Sequence, residues 1–127
     1  MLVVLGALLL AACGIPKQND REAARPTTGG AQTVGIDATN DAFRPRTVQA
    51  QPGRPLGVEV HNKGWTKHTF TIDGTNVDVS VPAGHTERVT VPAPGGDARV
   101  RFRCRFHDAN GMHGVIVFGS PGPALSQ

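Results

Sequence analysis

Eight short stretches of this chain either alternate apolar with polar residues or are rich in β-branched ones, and turns containing Pro, Gly or Asn punctuate them. They read TVGID, TVQA, LGVEVHN, HTFTI, VDVSV, ERVTV, ARVRFRCRF and GVIVF, with QPGRP, DGTN, VPAGH and PAPGG among the separators. No segment of usable length repeats its apolar residues at helical spacing, so strands alone are available to close a core. Half-apolar strands hide their apolar faces by stacking as two sheets. The pattern predicts an all-β, antiparallel sandwich of about seven or eight strands. Its expected core is Val58, Val60, Phe70, Ile72, Val100, Phe102, Ile116 and Phe118.

The seventh stretch carries the chemistry. The period-two rule sets Val100, Phe102, Cys104 and Phe106 on one face of ARVRFRCRF and Arg99, Arg101, Arg103 and Arg105 on the other. Cys104 therefore leaves the core side where a short loop begins. Cys104, His107 and Met112 stand there as Cys-x2-His-x4-Met, and a lone histidine, His68, precedes them in WTKHTF. A thiolate, an imidazole and a thioether on one loop match the donor set of a mononuclear blue-copper site. Soft sulfur favours Cu(I) and imidazole also suits Cu(II), so such a set serves both oxidation states. A buried thiolate is costly unless paired, and a copper ion is a natural partner that also drives its deprotonation.

Each residue alone has a plainer reading. A single buried Cys is usually a small hydrophobe, and a single histidine is usually a core or surface residue. The conjunction in this order favours a metal. His61, on the alternate face of LGVEVH, and His85, in the turn PAGH, are expected to face solvent. His113 adjoins Met112 and is the alternative fourth donor, whereas the x4 spacing and the start of GVIVF at Gly114 favour Met112.

From about Asp41 to Phe118 the chain resembles the cupredoxin family, in particular the plastocyanin-like small type 1 copper proteins. The resemblance runs through AFRPRTVQAQPGRPLGVEVHNKG, the first histidine, VPAGHTERVTVPAPGG and the Cys-His-Met loop closing on GVIVF. It implies a Greek-key cupredoxin-like sandwich holding one copper ion, with His68, Cys104 and His107 as strong equatorial ligands and Met112 as the weak axial one. It also implies single-electron transfer between redox protein partners rather than enzymatic catalysis. The residue after the first histidine is often Asn in that family and is Thr69 here, which bears on the hydrogen bonding of the thiolate. The backbone beyond His68 and the side chains of Asn62 and Thr69 are the candidates for steadying the site. Trp65 either covers the site or anchors one end of the sandwich.

With two cysteines in 127 residues, Cys13 in the leader and Cys104 in the loop, no disulfide joins folded segments. One thiolate in the loop also argues against a binuclear copper centre. The opening run MLVVLGALLLAAC is too short to span a bilayer and ends in Leu-Ala-Ala-Cys, which resembles the bacterial lipobox. It departs from the usual pattern in lacking the basic n-region with which such a signal normally opens. The expected division is a lipoprotein signal at 1–12, a lipidated Cys13 with a tether over 13–31, the cupredoxin-like domain at 32–119 and a short tail at 120–127. The eighteen polar, Pro- and Gly-rich residues Gly14 to Ala31 reach roughly 25 Å as a flexible coil. The expected location is thus the outer face of a bacterial cytoplasmic membrane, held by lipid on Cys13, with the protein a monomer that binds no nucleic acid.

The net charge is +3, and the row Arg99, Arg101, Arg103 and Arg105 forms a positive stripe able to steer an acidic redox partner, or else merely a solvated sheet face. Two other functions fit the same pattern: a copper carrier or buffer, and a metal-free cupredoxin-like module binding within a larger membrane complex. Intense visible colour with copper separates them from an electron carrier.

Overall fold

Alternate burial is the rule along the first long strand, where Gln32, Val34, Ile36 and Ala38 turn inward and Thr33 and Gly35 outward. The computed structural model describes residues 32–120, so the signal, Cys13 and its tether, and the tail beyond Ser120 lie outside the described residues. Within them are nine strands: β1 (Gln32–Ala38), β2 (Phe43–Arg44), β3 (Thr47–Ala50), β4 (Leu56–Asn62), β5 (His68–Thr71), β6 (Asp78–Val81), β7 (Thr86–Val91), β8 (Ala98–Arg103) and β9 (His113–Phe118). One sheet runs β2-β1-β4-β7 and the other β3-β9-β8-β5-β6. The expected β-sandwich is present.

Its sheets are mixed rather than wholly antiparallel. β1 lies parallel to β4, pairing Gln32 with Leu56, and β3 lies parallel to β9, pairing Thr47 with Val115. Alternation dictates which face a residue takes but says nothing about the direction of the neighbouring strand. β2, two residues long, sits in a stretch that has no alternation to reveal it.

The core between the sheets holds all eight residues expected of it, with Val100 only partly buried, and adds Phe43, which meets both Phe70 and Phe102 edge-on. Phe70 and Phe102 stack at 4.9 Å between centroids. Buried Gln32 is fully engaged: its Nε2 donates to the carbonyls of Gln51 (2.9 Å) and Arg54 (2.6 Å), and its Oε1 accepts from the Gln51 N–H (2.7 Å). The Phe70–Phe102 stack braces β5 against β8 close to His68 and Cys104, while the Gln32 bonds secure the start of β1 at the other end of the sandwich.

One expectation fails at that end. β8 stops at Arg103, so the alternation does not reach Phe106, which is 51% exposed instead of facing the core with Cys104. The chain turns at Cys104 to build the loop, and a turn resets the faces.

Candidate metal centre

Three elements converge on the site. β5 begins at His68, which is fully buried; the end of β8 delivers Cys104, also fully buried; and the loop between β8 and β9 carries His107 and Met112. The loop is tight. His107 N–H donates to the Cys104 carbonyl (3.3 Å), a single 3-10 turn follows at Asp108–Asn110, and Gly111 ends it at a φ of 88°, in the left-handed region where a side chain is strained. Met112 N–H then returns to the His107 carbonyl (3.1 Å), and Cys104 N–H donates to the Met112 carbonyl (3.0 Å). The loop closes on itself and buries the Met112 side chain completely.

The result brings His68, Cys104 and His107 together, with their donor atoms all within 4.8 Å of one another. The Cys104 Sγ lies 3.8 Å from His68 Nδ1 and 3.5 Å from His107 Nδ1. A trigonal ion with bonds of ~2.0–2.3 Å, typical of imidazole and thiolate on a first-row divalent metal, spaces its donors by roughly 3.5–4 Å. Both sulfur–nitrogen distances fall within that range.

Burial first, and then the charge of His107, hold the His68 imidazole below its ordinary pKa, with the Thr39 backbone acting weakly the other way. His68 Nε2 is nonetheless buried without a partner in hydrogen-bonding geometry. A neutral imidazole is the form that donates a lone pair to a metal, so this environment suits a ligand.

The surroundings steady each donor. Thr69 N–H donates to the Cys104 sulfur (3.4 Å). The Thr69 hydroxyl accepts the N–H of Arg105 (2.9 Å) and lies 3.0 Å from the Thr71 hydroxyl, which donates to Asp78 (2.9 Å); Asp78 in turn accepts from Arg105 Nε (3.1 Å). This circuit pins the residue next to Cys104 to β5 and β6. Asn62 acts at one remove, its Nδ2 donating to the Thr66 and Val81 carbonyls (2.8 Å each) and its Oδ1 accepting from Gly64 N–H (2.9 Å), so that it shapes the turn entering His68.

The other histidines stay apart from the cluster. His113 is half-buried at the start of β9 with its Nδ1 3.1 Å from Asp108. His61 Nδ1 is 2.9 Å from the Thr86 hydroxyl and half-buried rather than free in solvent, because β7 packs beside it, while His85 is exposed at its turn as expected.

The arginine row has lost most of its free charge. Arg101 bonds Asp108, Arg103 grips Asp73 through two bonds of 2.9 Å, and Arg105 bonds Asp78. Asp73 and Asp78 come from the β5–β6 region, too far along the chain for spacing to reveal them, and Asp108 meets Arg101 only because the metal loop folds back. Arg99 is exposed. Beside His107, Phe106 is flanked by the Lys67 ammonium at 5.5 Å and the Arg105 guanidinium at 5.6 Å, and Trp65 is 86% exposed, so it covers nothing in the core.

A family model described as a cupredoxin-like domain matches residues 2–118. Among solved structures, the chain is similar to dithionite-reduced auracyanin from Roseiflexus castenholzii (19% identity, 72% of this chain and 100% of that one, TM-score 0.60). It is also similar to the metal-binding domain of the Streptococcus pneumoniae Cu(I)-exporting P-type ATPase (15% identity, 74% and 91% covered, TM-score 0.61). A chain of a heme-copper terminal oxidase dimer aligns at 15% identity over 83% of this chain and 76% of its own, with a TM-score of 0.61. At these identities the likeness is one of fold. No curated protein sequence matches significantly. The donor set, two imidazoles and a thiolate beside a buried thioether, suits one copper ion.

Proposed function

Because the chain belongs to the cupredoxin-like domain family, we propose that it is a type 1 copper protein that carries single electrons between redox partners, with His68, Cys104 and His107 as strong ligands and Met112 as the weak axial one. The observation that carries this reading is the buried Cys104 sulfur within 3.5–3.8 Å of two imidazole Nδ1 atoms. Bound copper supplies a one-electron couple. The chain supplies a closed, hydrogen-bonded loop that keeps the donors in place, and such rigidity limits the rearrangement that accompanies a change of charge. His107 is half-buried beside exposed Phe106, which leaves this ligand as the short route for an electron to the surface. Met112, fully buried on the same loop, would complete the donor set, in keeping with a carrier rather than an enzyme.

The place of action in this reading is the outer face of a bacterial cytoplasmic membrane, with lipid on Cys13 as anchor. Its support is the Leu10-Ala11-Ala12-Cys13 match. Cys13→Ala should abolish labelling by a radioactive fatty acid; a wild type that takes up no label when expressed with its natural start contradicts the anchor.

The likeness to the metal-binding domain of a Cu(I) exporter favours a second reading, a copper carrier or buffer. The decisive experiment is potentiometric titration combined with exchange against a Cu(I) chelator. An electron carrier shows a reversible one-electron wave and slow exchange. A copper carrier yields its metal within seconds.

A further inference from the structure

Met112 sits at the centre of a three-residue turn closed by the His113 N–H on the Gly111 carbonyl (2.9 Å). Both carbonyls that flank Met112 are held from outside the loop by one side chain: Arg46 Nη2 donates to the Gly111 carbonyl (3.0 Å) and Arg46 Nε to the His113 carbonyl (3.4 Å). The backbone of Arg46 is tied to the same place, its carbonyl accepting the Val115 N–H (2.8 Å). That carbonyl comes so close to Gly114 that a Cβ there would meet it at 2.4 Å. Arg46 stands some 65 residues away in sequence, on the link into β3, and reaches the loop only because β3 lies parallel to β9.

We propose that Arg46 is a positioning residue for the axial donor: its guanidinium bridges the carbonyls on either side of Met112 and so sets how closely the thioether approaches the metal. The inference rests on the copper reading for its consequence but not for its geometry, which is made by protein atoms alone. A planar guanidinium with divergent N–H groups spans two carbonyls at once, while an ammonium on a flexible stem satisfies one at a time. Without that bridge the Gly111 carbonyl keeps only the N–H of His113, and the Met112 turn can open more readily. The axial ligand tunes the potential of such a site and contributes little to holding the ion. Arg46 therefore acts on potential and spectrum and leaves copper affinity nearly unchanged.

The test uses Arg46→Lys and Arg46→Met in the whole protein, with melting curves to show that both fold; the side chain lies at the surface, where replacement is normally mild. In the metal-free form, amide exchange followed by NMR should speed up about tenfold at His113 in both variants, with the β8–β9 amides unchanged. In the copper-loaded form, the two variants should shift the reduction potential and the relative intensities of the visible bands in the same direction, at unchanged copper stoichiometry. Retained charge in Arg46→Lys separates positioning from simple electrostatics. If Arg46→Lys matches the wild type in both His113 exchange and potential while Arg46→Met alone shifts, Arg46 acts by charge and the proposal is overturned. A wild type without a visible copper band sinks the copper reading, yet the exchange data still decide whether the clamp exists.

Discussion

The backbone N–H of Thr69 points at the sulfur of Cys104 from 3.4 Å, so the residue that follows the first histidine serves the thiolate through its main chain. The side chain at that position is free for another task. In this protein it is a buried hydroxyl that takes the N–H of Arg105 and completes the circuit through Thr71 and Asp78. Thr69 in place of the family's frequent Asn thus leaves the N–H···S contact standing. Hydrogen bonding around the sulfur is one of the levers on the potential of such a site, and it is retained.

Thr69→Val keeps the shape and the backbone donor but strands the Arg105 N–H and removes the neighbour of the Thr71 hydroxyl. Leaving a buried donor unsatisfied costs about 1–3 kcal/mol, and this one is part-buried, which points to the lower end. Chemical denaturation of the copper-free protein should show a loss in that range, and Thr69→Ser should recover most of it. A Thr69→Val protein as stable as the wild type removes the circuit from the energetics.

Gly114, the second residue of β9, lies so close to the ring of Phe102 and to the Arg46 carbonyl that a Cβ would overlap both. Both are held, one in the core and one in the β3–β9 ladder, so neither gives way cheaply. Gly114→Ala should cost at least about 1–3 kcal/mol and disturb Met112 two residues away. A melting temperature equal to the wild type's contradicts this packing.

Met112→Leu keeps the three strong donors and removes the weak one, so the visible band should persist while the reduction potential rises. His113→Ala should leave band and potential almost unchanged, because its Nδ1 faces Asp108. Cyclic voltammetry of the two variants checks the assignment; loss of the band in His113→Ala alone, with Met112→Leu silent, reverses it.

Acid should loosen the end of the sandwich that bears the site. The hydrogen bond from Arg103 holds the Asp73 carboxyl below its ordinary pKa, that from Thr71 does so for Asp78, and that from Arg101 for Asp108. Folded values below unfolded ones mean that these carboxylates contribute stability above the unfolded value, near pH ~4, and that it is lost as pH falls through the folded values. All three are solvent-screened, so the effect is a modest lowering of the melting temperature as pH falls below about 4. Arg103→Met should flatten the dependence. An unchanged slope in that variant argues that other carboxylates govern acid unfolding.

Much of this was legible in the residues because each legible feature is local. Alternation along LGVEVHN places Val58 and Val60 in the core whatever strand lies beside them, and the donor chemistry of Cys104, His107 and His68 is intrinsic to the side chains. What escaped depends on partners distant in the chain. The parallel pairings of β1 with β4 and β3 with β9 arise from packing, and so does the reach of Arg46 to Gly111. The arginine row likewise read as a stripe of charge because Asp73, Asp78 and Asp108 meet it only after folding. Phe106 misled because periodicity does not announce where β8 ends.

The most direct measurement is the visible spectrum of the protein loaded with one equivalent of Cu(II), beside the same titration of Cys104→Ser. A Cys104 thiolate bound to the metal alongside His68 and His107 predicts an intense blue absorption saturating at one copper per chain, absent from Cys104→Ser although that variant keeps its β-sheet circular dichroism. A wild type that takes up copper and stays colourless, or a Cys104→Ser protein that remains blue, contradicts it.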